Sequence, residues 1–146
     1  MTRPTLSYRM LGLVRNLIHN RRAARRISSA LPVRFSIVRL LSAAQSRRSR
    51  SISAITTDLS LSGLALETSV IQVDNFHVSL SSDMTSKQFL EIELDLPDRR
   101  IRIEGQPLRY ERRNSGTGNY VVGVKIISMS PEDWQTYEEY LKEAGR

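Results

Sequence analysis

Hydrophobic residues recur along this chain of 146 residues with two different periods, and the change between them divides it. Over residues 5–20, "TLSYRMLGLVRNLIHN", Leu6, Met10, Leu13, Val14 and Leu17 fall at helical spacing, while Arg9, Arg15 and Asn16 lie off that stripe. This predicts an amphipathic helix, whose apolar face suits packing against the body of the domain or against a second copy of the chain. A helix lying on a membrane surface, with arginines at its flanks, is the alternative. From Leu31 the period becomes two. "PVRFSIVRL" sets Val33, Phe35 and Ile37 against Arg34 and Ser36, the alternation of a half-buried strand. Further strands are predicted through 50–57, 64–69, 88–96, 100–111 and 119–128. In "FLEIELDLPDRRIRIEG", Leu90, Ile92, Leu94 and Leu96 share one face, and Pro97, Asp98 and Arg99 supply a turn before Ile101 and Ile103 resume it. That is a hairpin. "NSGTGN" provides a second turn ahead of "YVVGVKIISM". Residues 71–86 are less regular and read as an insertion with room for a short extra strand.

The chain closes with a predicted helix over 131–143. Ser130 suits its N-cap, Pro131 its first position, and Asp133 stands three residues after the cap, where an acid can answer free amides. Trp134, Tyr137 and Leu141 form an inward stripe, better suited to plugging a barrel end than to stacking on a ligand. Six or seven short antiparallel strands with a capping helix predict a mainly β fold closed into a small barrel, since closure removes exposed edges. The plan is therefore a helical extension over 1–20 and one domain over 21–146. That domain comprises an arginine-rich loop at 21–30, the barrel at 31–130 and the C-terminal helix.

Composition narrows the chemistry. There is no cysteine, which excludes disulfides, thiolate metal sites and cysteine nucleophiles. The longest apolar stretches are cut by arginines and fall short of the roughly 20 residues that span a bilayer, and no cleavable signal is evident. A cytoplasmic location is expected. The net charge of +7 conceals an asymmetry: residues 1–57 hold 12 Arg and no Asp, Glu or Lys, whereas residues 58–146 hold 10 basic and 15 acidic residues. The halves thus carry +12 and −5. Anionic partners belong to the first half, and its exclusive use of arginine, a planar bidentate fork, favours planar or phosphorylated ones.

Two segments stand out. "NRRAARRI" sets Arg21, Arg22, Arg25 and Arg26 within six residues with no acid nearby. Such a cluster could be a solvated helix end, but its mutual repulsion is relieved where an anion neutralises it. "TTDLSLSGLAL" interrupts a strand pattern with Asp58, Ser60 and Gly63. These are ordinary turn formers, and they also gather a carboxylate, a hydroxyl and amides at one place. Gly63 would allow positive φ and let another group approach the backbone.

Together the two segments resemble the signature of the PilZ domains of bacteria, which bind the second messenger cyclic di-GMP. Arg22 and Arg26 match an Arg-x-x-x-Arg motif, with Arg21 and Arg25 an equivalent register; Asp58, Ser60 and Gly63 match the following Asp/Asn-x-Ser-x-x-Gly. "RRAARRISSALPVRFSI" looks like that domain's approach to its first strand, and "YVVGVKIISMSPEDWQTYEEYL" like its last strand and closing helix. The resemblance covers about residues 20–143; the N-terminal helix and the 71–86 segment depart from it. It implies a receptor, not an enzyme, with no cofactor. Arg22 and Arg26 would meet guanine edges and phosphates, Asp58 would accept from guanine N1–H and N2–H, and Ser60 would hold the same base. Gly63 would keep its path clear, and Arg21 would add a phosphate or stacking contact. Ligand binding would reorient the helix of residues 5–20 and so expose or hide a protein-binding face. The alternatives are a PilZ-like interaction adaptor without ligand and a small barrel for single-stranded nucleic acid. Few exposed aromatics are available to stack bases, so nucleic acid is not the expected partner. His19 and His77 sit in unrelated settings, and no nucleophile elbow or P-loop appears.

Overall fold

The computed structural model describes residues 25–78, 87–113 and 118–145. The helix expected over 5–20, with Arg21 and Arg22, lies outside the described residues. Among those described, the expected strands appear as β2 (Pro32–Leu40), β4 (Ile52–Leu59), β5 (Gly63–Thr68), β8 (Lys87–Asp95), β9 (Arg100–Arg112) and β10 (Tyr120–Met129), and the helix as α1 (Pro131–Ala144). Four short strands join them: β1 (Ile27–Ser28), β3 (Ser46–Arg48), β6 (Gln72–Val73) and β7 (Phe76–His77).

The sheet runs β1-β4-β5-β10-β9-β8-β2-β3, and an additional β4–β2 pairing closes its six long strands into an antiparallel barrel. Alternation explains the closure. Val33, Phe35 and Ile37 of β2, Leu90, Ile92 and Leu94 of β8, and Val122, Val124 and Ile126 of β10 all turn inward and are buried. The outer faces of β2, β8 and β9 carry a ladder of opposite charges instead, in which Arg34, Arg100 and Arg102 surround Glu93 and Arg48 pairs with Glu91. The β8–β9 turn forms at Pro97-Asp98 as expected, with the Leu96 N–H donating to the Arg99 carbonyl at 3.1 Å.

The 71–86 segment is less of an insertion than its irregular pattern suggests. Asp74 and Asn75 take positive φ values of 50° and 71° and make the tight turn of a β6–β7 hairpin. Val73, Phe76 and Val78 of this segment enter the barrel core. The hairpin is stitched down by the Arg50 N–H donating to the Asp74 carboxylate at 2.8 Å and by the Arg39 guanidinium 4.8 Å above the Phe76 ring.

Helix α1 starts where Ser130 accepts the Asp133 N–H at 3.1 Å, with Pro131 at its first turn. The Asp133 carboxylate does not turn back to the cap, as a capping box would have it. It reaches across to the β8–β9 hairpin, accepting the Arg102 N–H at 3.0 Å and pairing with Arg99. This ties the helix to the barrel by a largely buried carboxylate, and a charge in that position is stable only when so partnered. Tyr137 is fully buried, and its hydroxyl donates to the Ser60 carbonyl at 2.6 Å. Tyr140 meets Ser29 at 2.8 Å. The helix therefore braces the turn after Asp58 and the chain that follows the arginine segment.

Burial pushes the Tyr137 hydroxyl well above the ordinary phenol value. Because the folded state holds this proton more tightly than the unfolded chain, its contribution is complete below about pH 10 and is lost as pH rises beyond that. Tyr137→Phe should remove that alkaline component, and leaving the Ser60 carbonyl unpaired should cost about 1–3 kcal/mol at neutral pH. Urea unfolding at pH 7 and at pH 11 checks both.

Candidate functional site

Continued alternation along β4 would turn Asp58 into the core. Ile52 and Ala54 pack inward and Thr56 is buried, so the next position in that series, two residues on, should follow them. The β4–β5 register instead slips: Thr56 opposes Leu66, but Asp58 opposes Ala65. Thr57 is the extra residue of a β-bulge, and it rotates Asp58 to the outer face while Leu59 returns to the core with no exposure. Asp58 thus stands on a strand end and not in the turn that its sequence setting predicts. The turn proper is Ser60–Ser62, closed by the Ser60 N–H donating to the Gly63 carbonyl at 2.8 Å.

The arginine segment is laid beside this carboxylate by the chain that follows it. Strand β1 pairs with the end of β4, Ile27 opposite Leu59 and Ser28 opposite Asp58. Thr56 secures the join: its hydroxyl accepts the Leu31 N–H at 2.9 Å and donates to the Ser29 carbonyl, while its own N–H reaches the Leu31 carbonyl at 3.0 Å. Arg26, one residue before β1, consequently places its guanidinium 3.6 Å from the Asp58 carboxylate. The Arg26 side chain is 68% exposed and that of Asp58 27%. An ion pair this open contributes at most about 1 kcal/mol.

Both groups line a cleft of about 680 Å³ on the outside of the barrel, a volume typical of small-ligand sites. Its floor is built of small side chains where β4, β5, β10 and β9 lie side by side. Asp58 opposes Ala65, Ala65 opposes Gly123, and Gly123 opposes Arg109, which makes one transverse row across four strands. Donors on the cationic side, an acceptor at Asp58 and a flat floor suit an anionic, planar ligand with donors on its ring edge.

Comparison with known proteins places the fold in a family. Residues 20–143 match the family described as PilZ domain. The chain belongs to the PilZ domain family. Its fold is similar to that of the Bacillus subtilis inhibitor of motility MotI/DgrA, at TM-score 0.54 and 16% identity over 84% of this chain and 50% of that one. It is also similar to Escherichia coli YcgR in complex with c-di-GMP, at TM-score 0.52 and 16% identity over 86% of this chain and 46% of that one. The isolated PilZ domain of YcgR with c-di-GMP is matched over 98% of its length, at TM-score 0.50 and 15% identity, covering 86% of this chain. The chain therefore spans about half of the two longer proteins, and at these identities the likeness is one of fold. No curated protein matches in sequence.

Within this PilZ domain the motif residues divide by role. Arg26, Asp58, Ser60 and Gly63 come together on the cleft. Ser60 is buried, and its hydroxyl serves the turn, bonding both the N–H and the carbonyl of Gly63 at 3.2 Å. Gly63 does not take positive φ, contrary to the expectation from its turn setting. It is glycine because β10 passes so close that a Cβ would stand 2.4 Å from the Val124 carbonyl oxygen. Ala65, Leu108, Arg109, Glu111, Val121, Gly123 and Lys125 complete the cleft without belonging to either motif. For Arg109, Glu111, Val121, Gly123 and Lys125 the signal was the outward alternation of β9 and β10, which needs the register of three strands to form one cleft.

Two outcomes follow for the PilZ site. Gly63→Ala should destabilise the free protein by about 1–3 kcal/mol, because the β10 backbone has to yield to the new methyl group. The Arg26–Asp58 double-mutant cycle should give a coupling energy below about 1 kcal/mol in ligand-free protein. Denaturant titration of each variant measures both quantities.

Proposed function

We propose that this PilZ domain is a cytoplasmic receptor for cyclic di-GMP that regulates a protein partner in bacterial signalling. The observation that carries the reading is the 3.6 Å approach of Arg26 to Asp58, which brings the arginine segment and the bulged strand to one cleft. Cyclic di-GMP offers two phosphates and two guanines whose O6 and N7 suit an arginine fork and whose N1–H and N2–H suit a carboxylate. In this reading Arg22 and Arg26 bind guanine edges and phosphates, and Arg21 adds a phosphate or stacking contact. Asp58 accepts from the base. Ser60 holds the turn in shape, and Gly63 brings β10 in to form the cleft floor. The role is recognition, with no bond made or broken.

The exposed Arg26–Asp58 pair fits a switch. It is weak enough for a ligand that offers anions to Arg26 and donors to Asp58 to replace it without a large cost. Closing the arginine segment over the nucleotide would then shift the chain that precedes it relative to the barrel, exposing or covering a face for the partner.

Calorimetric titration with cyclic di-GMP tests the receptor reading. The wild-type chain should bind, and the Arg22→Ala/Arg26→Ala variant should bind at least a hundredfold more weakly, since each charge-assisted contact is worth about 1.5–3 kcal/mol. No binding of cyclic di-GMP at millimolar concentration would refute it.

A further inference from the structure

The motif residues occupy only one bank of the cleft. From Asp58 on β4 to Arg109 on β9 the row crosses three strand spacings, about 14 Å, with only Ala65 and Gly123 between. A single purine at Asp58 cannot reach the other side. The far bank is itself a built feature. The β9–β10 register slips between Gly123 and Val124, so that Arg109 opposes Gly123 but Pro107 opposes Val124, and Leu108 is the extra residue. This second bulge leaves Leu108 67% exposed on the cleft wall and sets Arg109 and Glu111 on the outer face together. Gly123 matters here because the aliphatic stem of Arg109 lies over it, 3.7 Å from where a Cβ would be.

Charge distinguishes this bank from the opposite wall of the barrel. There Arg34, Arg100 and Arg102 are matched to the Glu93 carboxylate. Arg109 and Glu111 have no ion pair or side-chain hydrogen bond among the described residues, although both line the cleft. The cleft thus carries two donor–acceptor sets facing one another across a floor of small residues. One is Arg26 with Asp58, the other Arg109 with Glu111.

We propose that the Arg109–Glu111 bank is a second guanine subsite, which reads the far base of the cyclic dinucleotide while Asp58 reads the near one. The inference rests on the receptor reading above and adds base specificity at a position outside both motifs. The Arg109 fork takes O6 and N7 of that guanine, and Glu111 accepts from its N1–H and N2–H. Leu108 covers the ring beside them. An adenine in this place offers a donor where guanine has O6, and lacks the N2–H and N1–H donors, so the Glu111 contact would be lost and the Arg109 fork would be left with N7 alone.

Cyclic di-GMP, the mixed cyclic GMP–AMP and cyclic di-AMP, titrated into the 146-residue chain, separate the possibilities. The wild type should bind cyclic di-GMP at least tenfold more tightly than cyclic GMP–AMP. Arg109→Ala should weaken cyclic di-GMP by tenfold or more, and in both Arg109→Ala and Glu111→Gln the preference over cyclic GMP–AMP should shrink toward unity. That ratio is insensitive to the general change in charge that either variant brings. An unchanged ratio in both variants, or an equal loss for all three nucleotides, overturns the second subsite while leaving cyclic di-GMP binding intact. Failure of the wild type to bind cyclic di-GMP overturns the receptor reading with it. Unaltered thermal midpoints would show that neither exposed substitution acts through folding.

Discussion

One extra residue in β4 decides where the groups on the near side of the cleft stand. Without Thr57 in the bulge, the period of two would drive the Asp58 carboxylate toward the side where Leu59 and Leu66 are fully buried. An unpaired carboxylate there would be far too costly to keep charged. With the bulge, Leu59 fills the core and Asp58 faces out beside Ser28 of β1. The same shift lets β1 add to the free end of β4, and β1 is what delivers Arg26. The meeting of Arg26 and Asp58 outside the barrel is therefore linked to a packing requirement inside it.

The two sides of this arrangement differ in strength. Inside, the turn that follows Asp58 is held by the buried Tyr137 hydroxyl, and α1 is locked by Asp133 against the β8–β9 hairpin. Outside, Arg26 meets Asp58 through an exposed ion pair that solvent and salt screen. A fixed acceptor beside a loosely held cation is what the proposed ligand exchange would need: Asp58 is already in place, and its pair with Arg26 yields at little cost. Since α1 touches Ser60 through Tyr137 and Ser29 through Tyr140, it also links the turn to the root of the arginine segment. An alteration at either is mechanically connected to the C-terminal helix.

Much of this architecture was legible in the chain. Long alternating runs such as "FLEIELDL" leave one choice of face, and the long strands begin and end within two residues of their expected places. The helix start at Ser130-Pro131 is equally explicit. What escaped were features without a period. Two- and three-residue strands such as β1 and β3 are too short to alternate, and nothing in "ITTDL" marks Thr57 as the supernumerary residue. Asp74-Asn75 between Val73 and Phe76 did carry a hairpin signal, hidden by the irregular residues around it. Gly63 was correctly singled out as a close approach, but the approaching group is the Val124 carbonyl. The far bank was invisible for a different reason. Arg109 and Glu111 become part of a cleft only through the pairing of β9 with β10 and of β10 with β5, and a β9 bulge sets the register.

The central claim is that the arginine segment and the bulged end of β4 form one binding surface on the outside of the barrel. Amide chemical-shift mapping with cyclic di-GMP tests it directly. The account predicts that shifts concentrate at residues 25–28, 57–65, 109–111 and 121–125 and spare the opposite wall around Arg34, Glu93 and Arg102. Shifts centred on that opposite wall, or confined to the arginine segment with residues 57–65 unmoved, would contradict it.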